Sequence, residues 1–327
     1  MPVVLSSTDD PFANAALESL LFERSGDRGP FLFLYSNCVA IVLGRHQNPW
    51  VECNMAVLGR DAIPLVRRIS GGGTVYHDPG NLNFSFMSSA DHYNLDTQFD
   101  LVLSGLSRVG IHAERNERND LVADGRKFSG NAFRHSRGNS LHHGTLLVAS
   151  ELSRLQEYLA APVAEIQTKA IESVRSSVVN LSELAPGLTP EAVRGAVAAE
   201  FAEHSQDSVV IRPGAAHTGA PSGSQALAAW FPASSELAAE RERLAGWEWL
   251  FGHTPTFSRT YRDESGRALT LTVKKGRIAD VVAEPDGDSL AGINELVGRP
   301  LARETVGLLR KYDWAAGFVA AMREDLW

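Results

Sequence analysis

The run Leu65-Val66-Arg67-Arg68-Ile69-Ser70-Gly71-Gly72-Gly73-Thr74-Val75-Tyr76-His77-Asp78 sets two guanidinium groups and three consecutive glycines between two strand-like stretches. That combination suits an anionic ligand. Glycines pack no side chain and lose the most freedom on folding, so a fold keeps three together where backbone must approach something closely. Backbone N–H groups freed from a ladder can converge into an anion-binding nest, to which an arginine adds charge and a planar donor fork. Side chains alternate along a strand, so only one of Arg67 and Arg68 can share the ligand side. The spacing fits neither G-x-x-x-x-G-K-[ST] nor G-x-G-x-x-G, and the following Thr74-Val75-Tyr76 and Leu82 to Phe86 alternate like strands, with no helix opening. A nucleotide here would be gripped in a strand-loop-strand cradle. The competing reading of the glycines is a flexible hairpin turn.

A second segment, Asp120-Leu121-Val122-Ala123-Asp124-Gly125-Arg126-Lys127-Phe128-Ser129-Gly130, carries Asp124-Gly125 between short apolar runs. That pair signals a tight hairpin and puts Lys127 near the start of the returning strand. A lone lysine there could be a solvated edge charge. The small residues Ser129 and Gly130 just after it would let a ligand approach the strand closely.

These groups need a scaffold, and its elements are partly legible. Asp10-Pro11 caps a first helix with Phe12, Ala16 and Leu20 recurring every four residues, and Gly26 stops it. Phe31 to Leu34 and Val39 to Leu43 read as buried strands. A helix from Thr97 to about Val109 carries Phe99, Leu103 and Leu106, and another follows Thr189-Pro190 with Val193, Val197 and Phe201 inward. Residues 212 to 224, rich in Gly, Ala, Pro and Ser, read as a surface loop or insertion. After Gly252 the pattern becomes hairpins, Ser258 to Arg262, Ala268 to Val273 and Arg277 to Val282, then a helix from about Ala302 to Arg323.

The motifs resemble the lipoate-protein ligase A family. The resemblance runs in family order through Asn48-Pro49-Trp50-Val51-Glu52-Cys53-Asn54, the glycine run, Arg118-Asn119-Asp120, Lys127-Phe128-Ser129-Gly130 and His142-His143-Gly144-Thr145. It continues through Ser173-Val174-Arg175-Ser176 and Trp247-Glu248-Trp249-Leu250-Phe251-Gly252. It implies an α+β fold of the biotin/lipoate ligase type, similar to class II synthetase cores, with a mixed sheet flanked by helices. A catalytic domain over 1–250 and a small α+β accessory domain over 251–327 are expected. The implied reaction joins free lipoate to ATP as lipoyl-AMP, releasing pyrophosphate, and passes the acyl group to a lysine of an acceptor protein. The implied acceptors are lipoyl domains of 2-oxo-acid dehydrogenases or a glycine-cleavage H protein.

The chemistry explains the residues that the resemblance selects. Two anions, carboxylate and α-phosphate, must meet, and Lys127 is the expected cation between them. Arg68, Ser70, Gly71, Gly72 and Gly73 would hold phosphate and acyl carbonyl, with Gly73, Thr74, Val75 and Tyr76 lining the nucleotide. Asn81 and Asp120 are further candidates, Asp120 through Mg²⁺ on the phosphates. Val174 and Arg175 fall in the adenylate-binding loop of the family, and Arg134 matches a position near lipoate. The residues from Thr168 to Asn180 are expected to order over bound adenylate. His77 reads equally as a ligand contact or a structural imidazole. His142 and His143, adjacent and so facing opposite ways in a strand, make a poor metal pair and read as structural.

Composition sets the outer limits. The chain has 327 residues, 44% of them hydrophobic, and a net charge of −8 without a basic run, which argues against nucleic acid as the main partner. Cys38 and Cys53 form no C-x-x-C motif, and neither looks activated, which weighs against a thioester-forming acyl transferase of the same superfamily. A transferase working without ATP and an acyl-adenylate binding protein that has lost activation are the alternatives. No signal peptide or membrane span is read, and a cytoplasmic location is expected.

Overall fold

The computed structural model describes residues 2–27, 30–159, 166–170, 177–204, 210–211, 231–284, 292–323 and 326. Its strands in the first half are β1 (Val3–Leu5), β2 (Phe31–Tyr35), β3 (Ala40–Leu43), β4 (Leu65–Arg67), β5 (Val75–His77), β6 (Asn81–Ser89), β7 (Glu114–Arg115) and β8 (Leu121–Ala123). They continue as β9 (Arg126–Ser129), β10 (Asn131–Ser136), β11 (Asn139–Leu147), β12 (Ile166–Thr168), β13 (Val210–Ile211), β14 (Phe257–Arg262), β15 (Ala268–Lys274) and β16 (Arg277–Glu284). A mixed six-stranded sheet runs β10-β11-β6-β2-β1-β13, parallel around β1 and antiparallel elsewhere. The α+β reading holds.

Strand alternation explains why this sheet needs helices on both faces. In β2, Phe31, Phe33 and Tyr35 join Ala16, Leu17 and Leu21 of the helix Pro11–Glu23, while Leu32 and Leu34 join Phe99, Val102, Val193 and Val197 from the opposite side. The latter residues lie on the helices Leu95–Ser107 and Pro190–Glu203, capped by Asn94 and Thr189. Asp10 caps the first helix, accepting from the N–H groups of Phe12 and Ala13. Its buried stripe is rotated from the expected one. Phe12 and Leu20 are only half-buried, and Asn14 and Glu18 lie buried beside Ala16 and Leu17.

Among the described residues there are three smaller sheets besides. In β4-β3-β5 the central β3 pairs parallel with β4 and antiparallel with β5, so the two strands flanking the glycines do not pair with each other. The hairpin reading of the glycine run is therefore replaced by a loop that crosses over β3. The sheet β7-β8-β9 is antiparallel, and its β8–β9 turn has positive φ at both Asp124 (50°) and Gly125 (70°), the conformation that tight two-residue hairpins require.

The fourth sheet, β12-β14-β15-β16, takes its edge strand from residues 166–168, well before the expected boundary at 250. One apolar core runs from Ile41, Trp50, Leu58 and Tyr76 through Phe251 and Phe257 to Leu309 and Phe318. The expected continuous helix over 302–323 is broken into Arg303–Gly307 and Ala316–Arg323, with two 3₁₀ turns between. Tyr312 is the break. Its backbone is extended (φ −110°, ψ 123°), and its hydroxyl and Lys311 Nζ both bond Glu295, a tertiary tie that overrides helical continuity. The Gly-rich stretch expected as a loop at 212–224 lies outside the described residues.

Candidate active site

Strand β4 and the residue after it separate the two arginines as alternation requires. Arg67 points away from the glycines into a buried site, donating to the carbonyls of Leu250, Gly44, Arg45 and Gln47 and to Thr254 Oγ1. It is a tether between the 44–47 turn and the segment after Trp247. Arg68 points the other way. Its guanidinium donates to Gly71 O (2.6 Å), Gly73 O (2.7 Å), Val42 O (3.2 Å) and Ser70 Oγ (3.0 Å). Burial pushes both guanidinium pKa values down to about 10, and both remain charged at neutral pH.

The arginine fork is thus spent largely on the glycine loop itself, which decides where the loop's donors point. The carbonyl of Gly71 turns toward Arg68 and that of Ser70 accepts from Arg45 N (2.8 Å). In a trans peptide the N–H of the next residue points the opposite way, so Gly72 N–H and Gly71 N–H face outward. Neither finds a protein acceptor among the described residues. Gly72 has a φ of 84°, and a Cβ there would meet Arg68 Nη2 at 2.9 Å, so conformation and space both require glycine.

A cavity of about 380 Å³ opens beside this loop, within the range of ~300–1,000 Å³ usual for small-molecule sites. Arg68, Gly72, Gly73, Thr74, Val75 and His77 form one side, and Asp120, Lys127 and Gly130 border it from another. Lys127 Nζ pairs with Asp120 Oδ1 at 2.8 Å. A Cβ on Gly130 would come within 3.4 Å of Lys127 Nζ, so the glycine leaves that ammonium its space. The backbone of Lys127 is bridged to Ser177 and Val179, which ties β9 to the segment leading out of 171–176.

Other expected residues stand elsewhere. Tyr76, between Val75 and His77 on β5, faces the opposite core and stacks with Tyr158 (6.1 Å between ring centroids). Ser70 is buried behind the wall, and Gly71 lies at the loop without bordering the cavity. Asn81 is one layer back, donating to Asn83 Oδ1 (2.9 Å), and it is Asn83 that borders the cavity. Arg134 borders a separate groove with Arg45, Arg137 and Arg243, donates to Ile69 O (2.7 Å) and lies over the Phe22 ring. Val174 and Arg175, with the rest of the expected adenylate loop over 171–176, lie outside the described residues.

The inner wall holds groups that the motifs did not single out: Glu18, Tyr35, Asn37 and Asn83. Glu18 Oε1 accepts from Ser85 Oγ (2.5 Å) and faces His143 Nδ1 (2.9 Å). Burial opposes its charge, but His143, the Ser85 hydroxyl and Arg68 outweigh that cost and hold its pKa below the ordinary value. Burial, reinforced by Glu18, raises Tyr35 well above the usual phenol. No signal for Glu18 was legible, because with Phe12, Ala16 and Leu20 as the inward stripe Asn14 and Glu18 read as part of the polar face of the helix.

The histidines divide. His77 is neutral, its pKa depressed to about 3 by burial and then by Arg68 and His143, and its Nδ1 accepts from Asn37 Nδ2 (2.9 Å). His142 is held by Gln98 and Asn131 among the rings of Phe84, Phe99 and Phe133, and burial likewise lowers its pKa to about 3. His143 faces the other way and borders the cavity. Among the described residues no cluster of three or more His, Cys, Asp or Glu side chains could hold a metal, and no helix is long and apolar enough to cross a membrane.

A half-open cavity lies between a donor-bearing glycine loop and an ion-paired lysine, on a mixed sheet with helices on both faces, an arrangement that suits a small anionic ligand. The chain belongs to the family described as the lipoyl protein ligase A/B catalytic domain, which it matches over residues 10–202. Among solved structures it is similar to P. falciparum LipL1 in complex with lipoate, at 26% identity over 95% of this chain and 94% of that one, with a TM-score of 0.64. It shares its fold with lipoate-protein ligase A bound with ATP (22% identity, 76% of this chain and 96% of that one, TM-score 0.57). It also shares the fold of a bipartite lipoate protein ligase of Thermoplasma acidophilum studied with its E2 lipoyl domain (21% identity, 76% and 94% covered, TM-score 0.58).

Proposed function

We propose that the protein is an ATP-dependent lipoate-protein ligase that forms lipoyl-AMP from free lipoate, releases pyrophosphate and acylates a lysine of a lipoyl-domain protein. The observation that carries this reading is the shared border of one cavity by Lys127, Arg68, Gly72 and Gly73, with the N–H of Gly72 turned away from Arg68. The acid lies along the cavity and its carboxylate attacks the α-phosphorus of ATP. Lys127 leaves Asp120 for the phosphate and carboxylate oxygens, while the N–H of Gly72 takes the charge that develops, help worth ~10²–10³ in rate per group. Val174 and Arg175 are assigned to the adenylate, and Arg134 to lipoate, by the family resemblance alone, since Arg134 borders a separate groove.

Mg²⁺ fits this donor set in the way it usually binds nucleotides, through one carboxylate and the phosphates themselves. Asp120, which borders the cavity, would be that carboxylate, and the ion would neutralise phosphate charge when bound. The acceptor reading is supported by the archaeal ligase studied with an E2 lipoyl domain; an H protein is the second acceptor expected. Lipoate, ATP and an unmodified lipoyl domain should give the acceptor one lipoyl mass increment in the presence of the protein. Acylation that proceeds from an acylated donor protein without ATP would favour the transferase instead.

A further inference from the structure

Ser70 does not border the cavity, yet it sits at the centre of a buried chain of hydrogen bonds that starts on the first helix. Arg68 Nε donates to Ser70 Oγ (3.0 Å), Ser70 Oγ lies 2.6 Å from His143 Nε2, and His143 Nδ1 lies 2.9 Å from Glu18 Oε1. The direction of each bond follows from what the groups can do. An arginine only donates, so the serine oxygen accepts there and keeps its own hydrogen for another partner. The ionised Glu18 only accepts, so His143 carries a hydrogen on Nδ1, while its Nε2 lies against Ser70 Oγ, whose own hydrogen also has Gly71 O within 3.4 Å.

Hydroxyl, imidazole and carboxylate in this order also arm nucleophiles. Here the hydroxyl is 1% exposed and already accepts from Arg68, so it orients rather than attacks. What it orients is the guanidinium that grips Gly71 O and Gly73 O and thereby turns the loop's N–H groups outward. We propose that Glu18 and His143 are positioning residues of the ligase reaction, acting through Ser70 on Arg68 and the glycine loop; this rests on the ligase reading above.

A double-mutant cycle on lipoate-dependent pyrophosphate release tests it. Ser70→Ala and His143→Ala should each lower kcat roughly 10- to 100-fold by letting the loop drift. The double variant should be no worse than the more damaged single one, because both cut the same chain. Ser70→Ala should leave KM for the acid within about twofold, as Ser70 does not border the cavity. His143→Gln, whose amide oxygen reaches about where Nε2 stands, should recover much of the loss, and the shorter His143→Asn should not. Effects that multiply, or a His143→Gln variant as poor as His143→Ala, would overturn the proposal.

A second readout does not depend on turnover. In ¹⁵N-histidine-labelled protein, His143 should carry a hydrogen on Nδ1 and lose that preference in Glu18→Ala. An Nε2–H ring in the wild type would refute the chain. Should the wild type release no pyrophosphate with any acid, the ligase reading falls while this spectrum still decides the hydrogen-bond chain.

Discussion

At the scale of single residues, the neighbouring arginines have unlike tasks: alternation requires that they part, and their hydrogen bonds show that Arg68 is the one beside the cavity. While the role expected of Lys127 came from the family resemblance, the need for glycine at Gly72 and the hairpin that carries Lys127 were legible because glycine conformation and hairpin chemistry are local. Glu18 was not, because its meaning depends on His143, 125 positions away, and a carboxylate on a helix gives no sign of a partner so distant. Two residue-scale predictions follow the observed environments. Cys53 is buried and its thiol pushed up by burial, Cys38 is raised by burial and by Asp9 and Asp10, and neither borders the cavity. A Cys38→Ser, Cys53→Ser variant should therefore retain lipoylation from free lipoate and ATP, measured by acceptor mass; a folded but inactive variant would point to thioester chemistry.

The buried imidazoles set an acid limit. His77 and His142 titrate near 3 in the fold but near 6.5 when unfolded, so below pH ~6.5 the unfolded chain binds protons that the native one refuses. Their contribution is fully present above that pH and is lost as pH falls toward 3, at up to ~1.4 kcal/mol per pH unit for each ring. Glu18, whose pKa is lowered, withdraws its own stabilisation further into acid. Urea unfolding between pH 7.5 and 4.5 should reveal the decline, and His142→Gln should make it shallower. Stability that stays flat from pH 7 to 5 would contradict the assignment of neutral rings.

At the scale of elements, the glycine loop works because β4 and β5 lie on either side of β3, so the loop must cross that strand instead of turning tightly. Strand pairing order is non-local, and the sequence pattern of three short apolar runs fits several orders. The broken helix at 303–323 has the same origin, since Glu295 draws Lys311 and Tyr312 out of the helical repeat from a position that precedes it. Arg67 links these elements. Arg67→Met would strand four carbonyls and the Thr254 hydroxyl, at a cost of roughly 3 kcal/mol or more. Thermal unfolding should fall by several degrees, while KM for ATP stays near the wild-type value because Arg67 does not border the cavity. An unchanged melting temperature would remove its tethering role.

For the whole molecule, the unit expected from 251 onward shares strand pairing with β12 and a core with Trp50, Leu58 and Tyr76. Its hairpins were legible from turn residues, but the sharing was not, because an edge strand of three residues carries too little pattern to be seen. Removal of residues 251–327 should therefore uncover Ile41, Leu43, Trp50 and Leu58 and lower the stability of the remaining chain. Truncated protein that unfolds at the full-length temperature would restore the picture of two independent bodies.

The central claim is that Lys127 stands where carboxylate and α-phosphate meet. Its most direct test is pyrophosphate release from ATP upon adding lipoate, compared between the wild type and Lys127→Ala. The account predicts lipoate-dependent release by the wild type and a loss of at least ~10²-fold in a folded Lys127→Ala variant. Near-normal release by that variant would contradict it.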